Sequence, residues 1–292
     1  MKNTVEANYR KRMIRVLEHI ARHPDQDLAL DALADVAAFS KFHFHRQFRA
    51  YFGLSLNRYV RLSRVRQAAL SLGFRPELSV TEIAFEAGFQ SPDTFGRAFR
   101  KEFGCTPTAF RRAPDWSAWH AAIAPHDNAR KLTTMYDYQQ GDVSIVAMEE
   151  IPILIMPHRG PAAHLPQTVA RFIAWRKSAR LGPDRSRTFT LYHGDPDQGD
   201  VPTRIDLACS TLPTKTAEDG MEQGTLPGGR YARLQIRGPY DDLEQPAHWL
   251  YHTWLPQSGE EPADFPLVCE RSKIGPNHQP HEMVTELLLP LA

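Results

Sequence analysis

The sequence has few cysteines and no long apolar run. Its three cysteines, Cys105, Cys209 and Cys269, are widely spaced and form no CxxC pair, so disulfides and a thiolate metal site are not expected. No stretch reaches the ~18 apolar residues of a membrane-spanning helix, and the N-terminus lacks the apolar segment of a signal peptide. These absences predict a cytoplasmic protein without a metal ion or another cofactor.

Net charge is also low, at +1, but it is unevenly distributed along the 292 residues. Residues 1–112 contain 19 Lys and Arg against 11 Asp and Glu, a net charge of +8, whereas residues 113–292 contain 16 against 23, a net charge of −7. The length allows about two domains. A basic half joined to an acidic half indicates an anionic partner for the first half only.

Residues 79–112 predict two short helices joined by a tight turn. The first helix is closed by Gly88, which suits a left-handed cap, and the second has Ser91 as its N-cap and Pro92 at its first position. The predicted buried stripe of the second helix is Phe95, Phe99 and Phe103, and its other face carries Asp93, Gly96, Arg97 and Arg100. This pattern is typical of a helix-turn-helix that presents a recognition helix to the major groove, although an ordinary helical hairpin with a solvated basic face fits it too.

An internal repeat favours the DNA-binding interpretation. The same pattern occurs earlier as Leu33, Ala34, Ala37, Ala38, Phe39, Ser40, Phe44, Arg46, Phe48, Arg49, Phe52 and Gly53. Between the copies, residues 55–72 predict one helix of roughly 27 Å, close to the ~34 Å that separates successive major-groove faces of B-DNA. The repeat therefore predicts that one chain reaches two adjacent grooves.

These residues resemble the DNA-binding domain of the AraC/XylS family of transcription regulators, over about Asn8 to Arg112. The segment IAFEAGFQSPDTFGRAFRKEFGCTPTAFR carries nearly the whole family signature in order. The resemblance implies an all-α tandem helix-turn-helix domain over residues 1–112, with double-stranded DNA and RNA polymerase as partners. The DNA-contacting residues it implies are Lys41, Phe42, His45, Arg46 and Arg49 in the first recognition helix and Asp93, Gly96, Arg97 and Arg100 in the second.

Within that set, Arg46 and Arg97 are the expected base readers, because a guanidinium group bonds bidentately to guanine O6 and N7. Phe42 is placed to touch a thymine methyl group. The second helix departs from the more polar face of many relatives, since Gly96 reads no base and Asp93 repels phosphate unless it accepts a hydrogen bond from cytosine. We therefore expect the first helix to supply more of the sequence information.

After Arg112 the character of the chain changes. Residues 113–134 combine Pro, Ala and two Trp, and they predict a linker with a short helix around residues 116–123. Residues 135–292 alternate short apolar runs with helical ones, which predicts an α+β domain. The expected strands are Val143–Met148, Ile151–Arg159, Thr188–His193, Ile205–Cys209, Arg230–Arg237, Leu267–Arg271 and Met283–Leu289, and the expected helices are Leu165–Arg180 and Leu243–Leu255.

A weaker duplication appears within residues 135–292. Arg159-Gly160-Pro161 before the first helix is echoed by Arg237-Gly238-Pro239 before the second. Two strand–helix–strand halves joined across one antiparallel sheet would give a pseudo-twofold repeat with a cleft along it. The chain as a whole is therefore predicted to be multidomain, all-α first and α+β second.

This second part resembles the GyrI-like small-molecule-binding domain, on the segments RLQIRGPYDDLEQPAHWLYHTWLPQSG, PLVCERSKIG and PHEMVTELLLPL. The resemblance implies a small cationic or hydrophobic effector, with Glu270 at the floor of the cleft. Glu270 fits a solvent-facing position equally well, because it shares a side of its strand with Val268. The candidate aromatic walls for cation–π contact are Tyr192, Trp249, Tyr251 and Trp254, each of which also fits an ordinary core position.

The sequence thus predicts a transcription regulator, not an enzyme, that binds DNA with its first domain and an effector with its second. Two alternatives remain for the second domain. In the first alternative, the second domain is a hydrolase in which Glu270 and a neighbouring Tyr or Trp activate water. In the second, it is a protein-interaction module without a ligand. No Ser/His/Asp set or metal-ligand spacing supports catalysis, so we expect no catalytic residues.

Overall fold

The computed structural model describes residues 2–23, 28, 30–133, 138–161, 164–193, 204–211, 220–237, 243–272 and 283–292. The chain forms two compact units, Met1–Met135 and Tyr136–Ala292. The first unit is helical, and the second contains a sheet with helices, as the predicted fold class requires. Within the described residues, no helix is both long and apolar enough to cross a membrane.

The first unit contains two helix-turn-helix copies connected by a long helix. Its helices are α1 (Lys2–Arg22), α2 (Leu30–Ala37), α3 (Lys41–Phe52), α4 (Leu56–Phe74), α5 (Val80–Glu86), α6 (Pro92–Phe103), α7 (Pro107–Arg112) and α8 (Trp116–Thr133). The first copy is α2–α3 and the second is α5–α6. The connecting helix α4 has 19 residues and is therefore about 28 Å long.

The turn inside each copy follows the same backbone hydrogen-bond pattern. Phe39 N–H donates to Ala34 O and Phe89 N–H donates to Ala84 O, both at 3.0 Å, which is the bond of a Schellman helix end. This motif needs a left-handed residue just after the helix. Gly88 takes that position with φ of 80° in the second copy, and Ala38 takes it with φ of 51° in the first.

Matching aromatic ladders form the core of the two copies. The rings of Phe48 and Phe52 lie 4.6 Å apart, as do those of Phe99 and Phe103. The repeat also extends into the next helix: Tyr59 at the start of α4 contacts Phe48 at 5.8 Å, and its counterpart Phe110 in α7 contacts Phe99 at 5.5 Å. Each repeated unit therefore comprises three helices.

Helix α8 differs from the predicted linker. It runs continuously from Trp116 to Thr133 and packs against α1, α3, α4 and α6. The ring of Trp116 stacks on Phe74 at 5.3 Å and approaches Gly73 so closely that an added Cβ there would lie 2.6 Å from it. The buried tryptophans thus make α8 part of the core of the first unit, and the prediction of a short helix in a separate linker was wrong.

The second unit contains an eight-stranded antiparallel sheet in the order β1-β6-β8-β7-β3-β4-β2-β5. The strands are β1 (Val143–Met148), β2 (Ile151–Arg159), β3 (Thr188–Tyr192), β4 (Arg204–Ser210), β5 (Glu222–Leu226), β6 (Gly229–Arg237), β7 (Leu267–Ser272) and β8 (Val284–Leu291). The order is symmetric about the β7–β3 pair, which agrees with the predicted duplication. Gly238 and Pro239 of the repeated sequence lie outside the described residues.

Strand β5 was not predicted. Its sequence, EQGTL, contains a glycine and no apolar alternation, so it lacks the usual strand signals. A Cβ at Gly224 would lie 2.6 Å from Ile155 Cδ1 on the neighbouring strand. The glycine therefore permits a close approach between β5 and β2.

The two faces of the sheet carry different neighbours. On one face, called here the helix-covered face, α9 (Leu165–Ser178) packs over β2 and β4, and a second helical segment packs over β6, β7 and β8. That segment runs as α10 (Glu244–Trp249), a π-helical turn (Leu250–Trp254) and α11 (Leu255–Ser258). The opposite face carries its own buried apolar cluster: Ile153, Ile155, Phe189, Leu191, Ala208, Leu226, Tyr231, Val268 and Leu288.

Candidate DNA interface and candidate ligand site

Helix α3 presents three of its five predicted DNA-contacting residues to solvent. His45, Arg46 and Arg49 are exposed, while Phe44 and Phe48 on the other side of the helix are fully buried. This division arises because apolar residues spaced four apart share one helix face. Lys41 and Phe42 form the first turn of α3, and their side chains lie outside the described part of the structure.

Helix α6 repeats this arrangement one copy later. Asp93, Arg97 and Arg100 are exposed, and Gly96 is half-buried with open space where a side chain would be. Asp93 lies in the first turn of α6, where a negative charge is favourable beside the unpaired backbone N–H groups of a helix start. Asp93 can therefore stabilise the start of α6, although its negative charge is unfavourable near phosphate.

The connecting helix α4 is joined to the second copy by an ion pair. Arg61 Nε donates to Glu102 Oε1 at 2.7 Å, and the glutamate side chain is nearly buried. On another side of α4, Arg66 Nε lies 3.6 Å from Asp127 Oδ1 of α8. Arg61 and Arg66 of this helix therefore make internal contacts, a role that their positions in the sequence did not reveal.

Helix α8 also carries a buried histidine against α4. The His126 ring stacks on Tyr59 at 4.6 Å and is 3% exposed, and its Nδ1 lies 3.0 Å from Asp127 Oδ1. Burial lowers the pKa of His126, with Asp127 acting in the opposite direction. Tyr59 in turn contacts Phe48 of α3. His126 therefore packs, through Tyr59, against the buried side of the first recognition helix.

In the second unit, the four predicted aromatic wall residues belong to the helix-covered face. Tyr192, Trp249 and Tyr251 pack against its apolar cluster, and Trp254 is a buried member of that cluster. Burial raises the pKa of Tyr192 to about 12, and burial also raises the pKa of Tyr251. These side chains connect α10 and the π-helical turn to the sheet.

Glu270 lies on the opposite face, so the structure does not bring it together with those aromatics. Residues of a strand alternate between faces: Cys269 belongs to the helix-covered cluster, whereas Val268 belongs to the other, and Glu270 shares the side of Val268. Glu270 is paired directly across the strands with Phe189 of β3 and with Glu286 of β8. Its two directly paired neighbours are therefore an aromatic ring and a second carboxylate.

The carboxylate of Glu270 accepts a bidentate pair of hydrogen bonds from Arg187. The Arg187 Nε–Glu270 Oε1 distance is 2.7 Å and the Arg187 Nη2–Glu270 Oε2 distance is 2.6 Å. The guanidinium carbon lies 5.1 Å from the centre of the Phe189 ring. Sequence reasoning did not find Arg187, because its contact with Glu270, 83 residues further along the chain, depends on the pairing of β3 with β7.

A second charged cluster lies on the same face, on the β3–β4–β2 side. Asp206 is buried and accepts hydrogen bonds from His193 Nε2 at 2.7 Å and from Arg204 Nε at 2.9 Å. Arg204 also reaches Glu222 of β5 at 3.1 Å. Within the described residues, no group of three or more His, Cys, Asp or Glu side chains is placed to hold a metal ion.

Parts of this chain are similar to two described families and to known proteins. Residues 33–113 match the family described as a helix-turn-helix domain, and residues 141–292 match the GyrI-like small molecule binding domain. Among solved structures, the DNA-binding domain of AdpA, in complex with a target DNA, is 31% identical over 35% of this chain and 90% of that chain, with a TM-score of 0.33.

Two curated relatives come from Escherichia coli strain K12. The "Probable transcriptional regulator YgiV" is 32% identical over 154 residues, which are 52% of this chain and 96% of that protein. The "Right origin-binding protein" is 33% identical over 134 residues, which are 45% of this chain and 43% of that protein. The chain thus spans less than half of the second relative.

A repeated helix-turn-helix followed by a small-molecule-binding domain defines a class of DNA-binding transcription regulators. The chain belongs to the GyrI-like family, and it carries an AraC-type helix-turn-helix domain in front of the GyrI-like one. The predictions of the fold class and of DNA-binding transcription regulation are therefore confirmed.

Proposed function

We propose that this protein is a cytoplasmic one-component regulator whose helices α3 and α6 enter adjacent major grooves of one operator. The observation that carries the proposal is the recurrence of exposed arginines at matching positions of both helices. Arg46 corresponds to Arg97 and Arg49 to Arg100, and all four lie opposite buried phenylalanines. Each copy thus presents the same two cations to solvent on a rigid helix.

Several contacts support a fixed spacing between the two recognition helices. The connecting helix α4 is about 28 Å long, the Arg61–Glu102 pair ties it to α6, and α8 packs against α3, α4 and α6 together. A rigid spacing favours two recognition boxes at a fixed separation of about one helical turn. In this proposal, Arg46 and Arg97 read bases, and Arg49, Arg100 and His45 contact the backbone or neighbouring bases.

The test is selection of bound duplexes from a random pool by the wild-type chain and by Arg46→Ala and Arg97→Ala. Each substitution should weaken the base preference in one box by about 1–3 kcal/mol at the base pair concerned. The base preference in the other box should be unchanged. Arg15→Ala on α1, which removes an exposed arginine outside both copies, is the matched control and should keep both boxes. Selection of the same two boxes by all four proteins would rule out base reading by these arginines.

A shorter protein separates DNA binding from effector control. It should contain residues 1–135, because α8 belongs to the core of the first unit. We expect this fragment and the full chain to select the same motif if the second unit only modulates binding. Selection by the fragment alone would mean that the second unit blocks DNA binding until an effector arrives.

For the second unit, we propose that a small effector binds on the opposite face of the sheet at Glu270 and alters either DNA binding or contact with RNA polymerase. Three observations support this position: the Glu270 side chain is only 12% exposed, Glu270 is paired across the strands with Phe189, and the half-exposed side chain of Arg187 donates two hydrogen bonds to Glu270. A carboxylate beside an aromatic face suits a cationic group with an apolar body.

A further inference from the structure

We propose that Arg187 is a built-in occupant of the cation subsite at Glu270, and that the effector is a cationic aromatic molecule with a guanidinium-like or amidinium-like fork that replaces it. This inference rests on the effector site proposed above and adds the planar donor fork of the ligand and the side chain that competes with it. Arg187 then determines ligand specificity, because only a ligand that forms equivalent hydrogen bonds with Glu270 displaces it.

The contacts of Arg187 are those expected of a bound ligand. Its guanidinium group donates both hydrogen bonds of a fork to Glu270 and lies near the face of Phe189. A planar fork matches the two oxygens of a carboxylate, and a point-like ammonium group does not. The site is therefore already shaped for a guanidinium group, which the protein itself supplies.

Arg187 is the most exposed of the three groups. The Arg187 side chain is 47% exposed, the Glu270 side chain is 12% exposed, and Phe189 is 1% exposed. Solvent thus reaches the arginine more readily than the carboxylate to which it is bonded, and Phe189 belongs to the buried apolar cluster of this face. Movement of this one side chain would remove both hydrogen bonds from the Glu270 carboxylate, which is paired across the strands with Phe189.

Hydrogen bonds hold the backbone around Arg187 in place, so we expect only its side chain to move. Arg187 N–H donates to Ser210 Oγ at 2.8 Å. Buried Arg176 of α9 donates to Ser186 O at 2.9 Å and to Thr188 Oγ1 at 2.5 Å, on either side of Arg187. Only side-chain rotamers then separate the covered site from the uncovered one.

The neighbouring charges favour a cation at this position. Glu286 lies directly opposite Glu270 in the β7–β8 pairing, and two like charges in such a pair are destabilising. The hydrogen bond from Arg187 to Glu270 raises the pKa of Arg187, and Glu286 acts in the same direction. Arg233 lies 3.9 Å from Glu286. Without Arg187, Glu270 would therefore need another cation as its partner.

The experiment is isothermal titration calorimetry of the full chain with benzamidine, benzyltrimethylammonium and benzoate. Wild type should bind benzamidine more tightly than benzyltrimethylammonium, which has no donors, and should not bind benzoate. Arg187→Ala should bind benzamidine about fivefold more tightly, because the competing internal ion pair is gone. Arg187→Gln should show the same gain, and it retains more of the side-chain packing.

A matched control is available on the same sheet. Arg230 is 51% exposed and pairs with Glu260 at 2.7 Å, away from Glu270, so Arg230→Ala should leave all three affinities unchanged. Glu270→Gln should lose benzamidine binding, and the thermal unfolding of each variant checks its folding. A gain in Arg230→Ala equal to that in Arg187→Ala would overturn the inference.

The outcomes also separate this inference from the effector site on which it rests. If Glu270→Gln abolishes benzamidine binding while Arg187→Ala leaves it unchanged, the effector site stands and the competing role of Arg187 is wrong. If benzoate binds wild type and Arg187→Ala abolishes that binding, Arg187 is an anion receptor and the inference is overturned. If no cation binds wild type or Arg187→Ala, the effector site at Glu270 fails as well.

Discussion

The two helix-turn-helix copies share one fold but differ in how their turns and helix starts are stabilised. In the second copy, Ser79 and Ser91 both form capping boxes and Gly88 occupies the left-handed turn position. In the first copy, Ser40 at the start of α3 makes no side-chain capping bond, and Ala38 occupies the left-handed position. Local sequence therefore specifies the second copy more strongly than the first.

Packing is the feature that the two copies have in common. Phe44 and Phe48 are as fully buried as Phe95 and Phe99, and α1 adds Met13, Val16, Leu17 and Ile20 to the same core. The structure is thus the same in both copies because tertiary burial compensates for the weaker local signals of the first. Substitutions that alter packing should destabilise both copies equally, whereas substitutions that alter local signals should affect the two copies differently.

The largest expected effect comes from the core aromatics. Phe48→Ala and Phe99→Ala each remove a fully buried ring and should each destabilise the first unit by about 3–5 kcal/mol. Urea unfolding of residues 1–135, followed by the fluorescence of Trp116 and Trp119, measures both. A much smaller loss for Phe48→Ala would contradict the conclusion that packing holds the first copy.

Protonation of His126 should weaken the support of the first copy from α8. Since burial lowers the pKa of His126 in the folded protein, the stabilisation is complete above the unfolded pKa of about 6.5 and is lost as the pH falls towards the folded pKa. Asp127, Arg66 and Arg130 are the charged groups that act on this ring.

The measurement is urea unfolding of residues 1–135 between pH 7.5 and pH 5.5, with His126→Gln as the comparison. We expect part of the fall in stability with pH to be absent from the variant, because Gln does not titrate in this range. An identical pH profile for the two proteins would show that His126 does not contribute.

The fold was largely predictable because it repeats. The matched positions of α3 and α6 and the alternating strands of the second unit are local patterns, and they correspond to elements in the structure. Helix α8 was predicted too short because it contains Pro125, which usually ends a helix. Its buried tryptophans outweigh that local signal, and such tertiary packing cannot be read from a short window of sequence.

The candidate ligand site was less predictable. Glu270 could be singled out from the sequence, but its partner Arg187 depends on the register of β3 against β7. The side of the sheet also matters: Tyr192 packs with the helix-covered cluster, while Glu270 faces away from it. Assigning these residues to one site required the sheet topology, which no single segment contains.

Exchange of the turn residues should have opposite effects in the two copies. Gly88→Ala places a Cβ at φ of 80° and should destabilise the first unit by about 1–2 kcal/mol. Ala38→Gly relieves the same strain at φ of 51°, but it should stabilise by less than that, because glycine also adds freedom to the unfolded chain. Thermal unfolding of residues 1–135 measures both variants, and a stabilising Gly88→Ala would refute the assigned turn.

The smallest effects are expected at the N-caps of the recognition helices. The Ser91 side chain accepts a hydrogen bond from Thr94 N–H at 3.2 Å, so Ser91→Ala should destabilise by about 1 kcal/mol. Ser40 makes no such bond, so Ser40→Ala should change stability by much less. Hydrogen exchange locates the difference: the Thr94 amide should exchange faster in Ser91→Ala, while the His43 amide should be unchanged in Ser40→Ala. Equal effects at both serines would mean that the helix starts of the two copies are stabilised alike, and that local capping does not distinguish them.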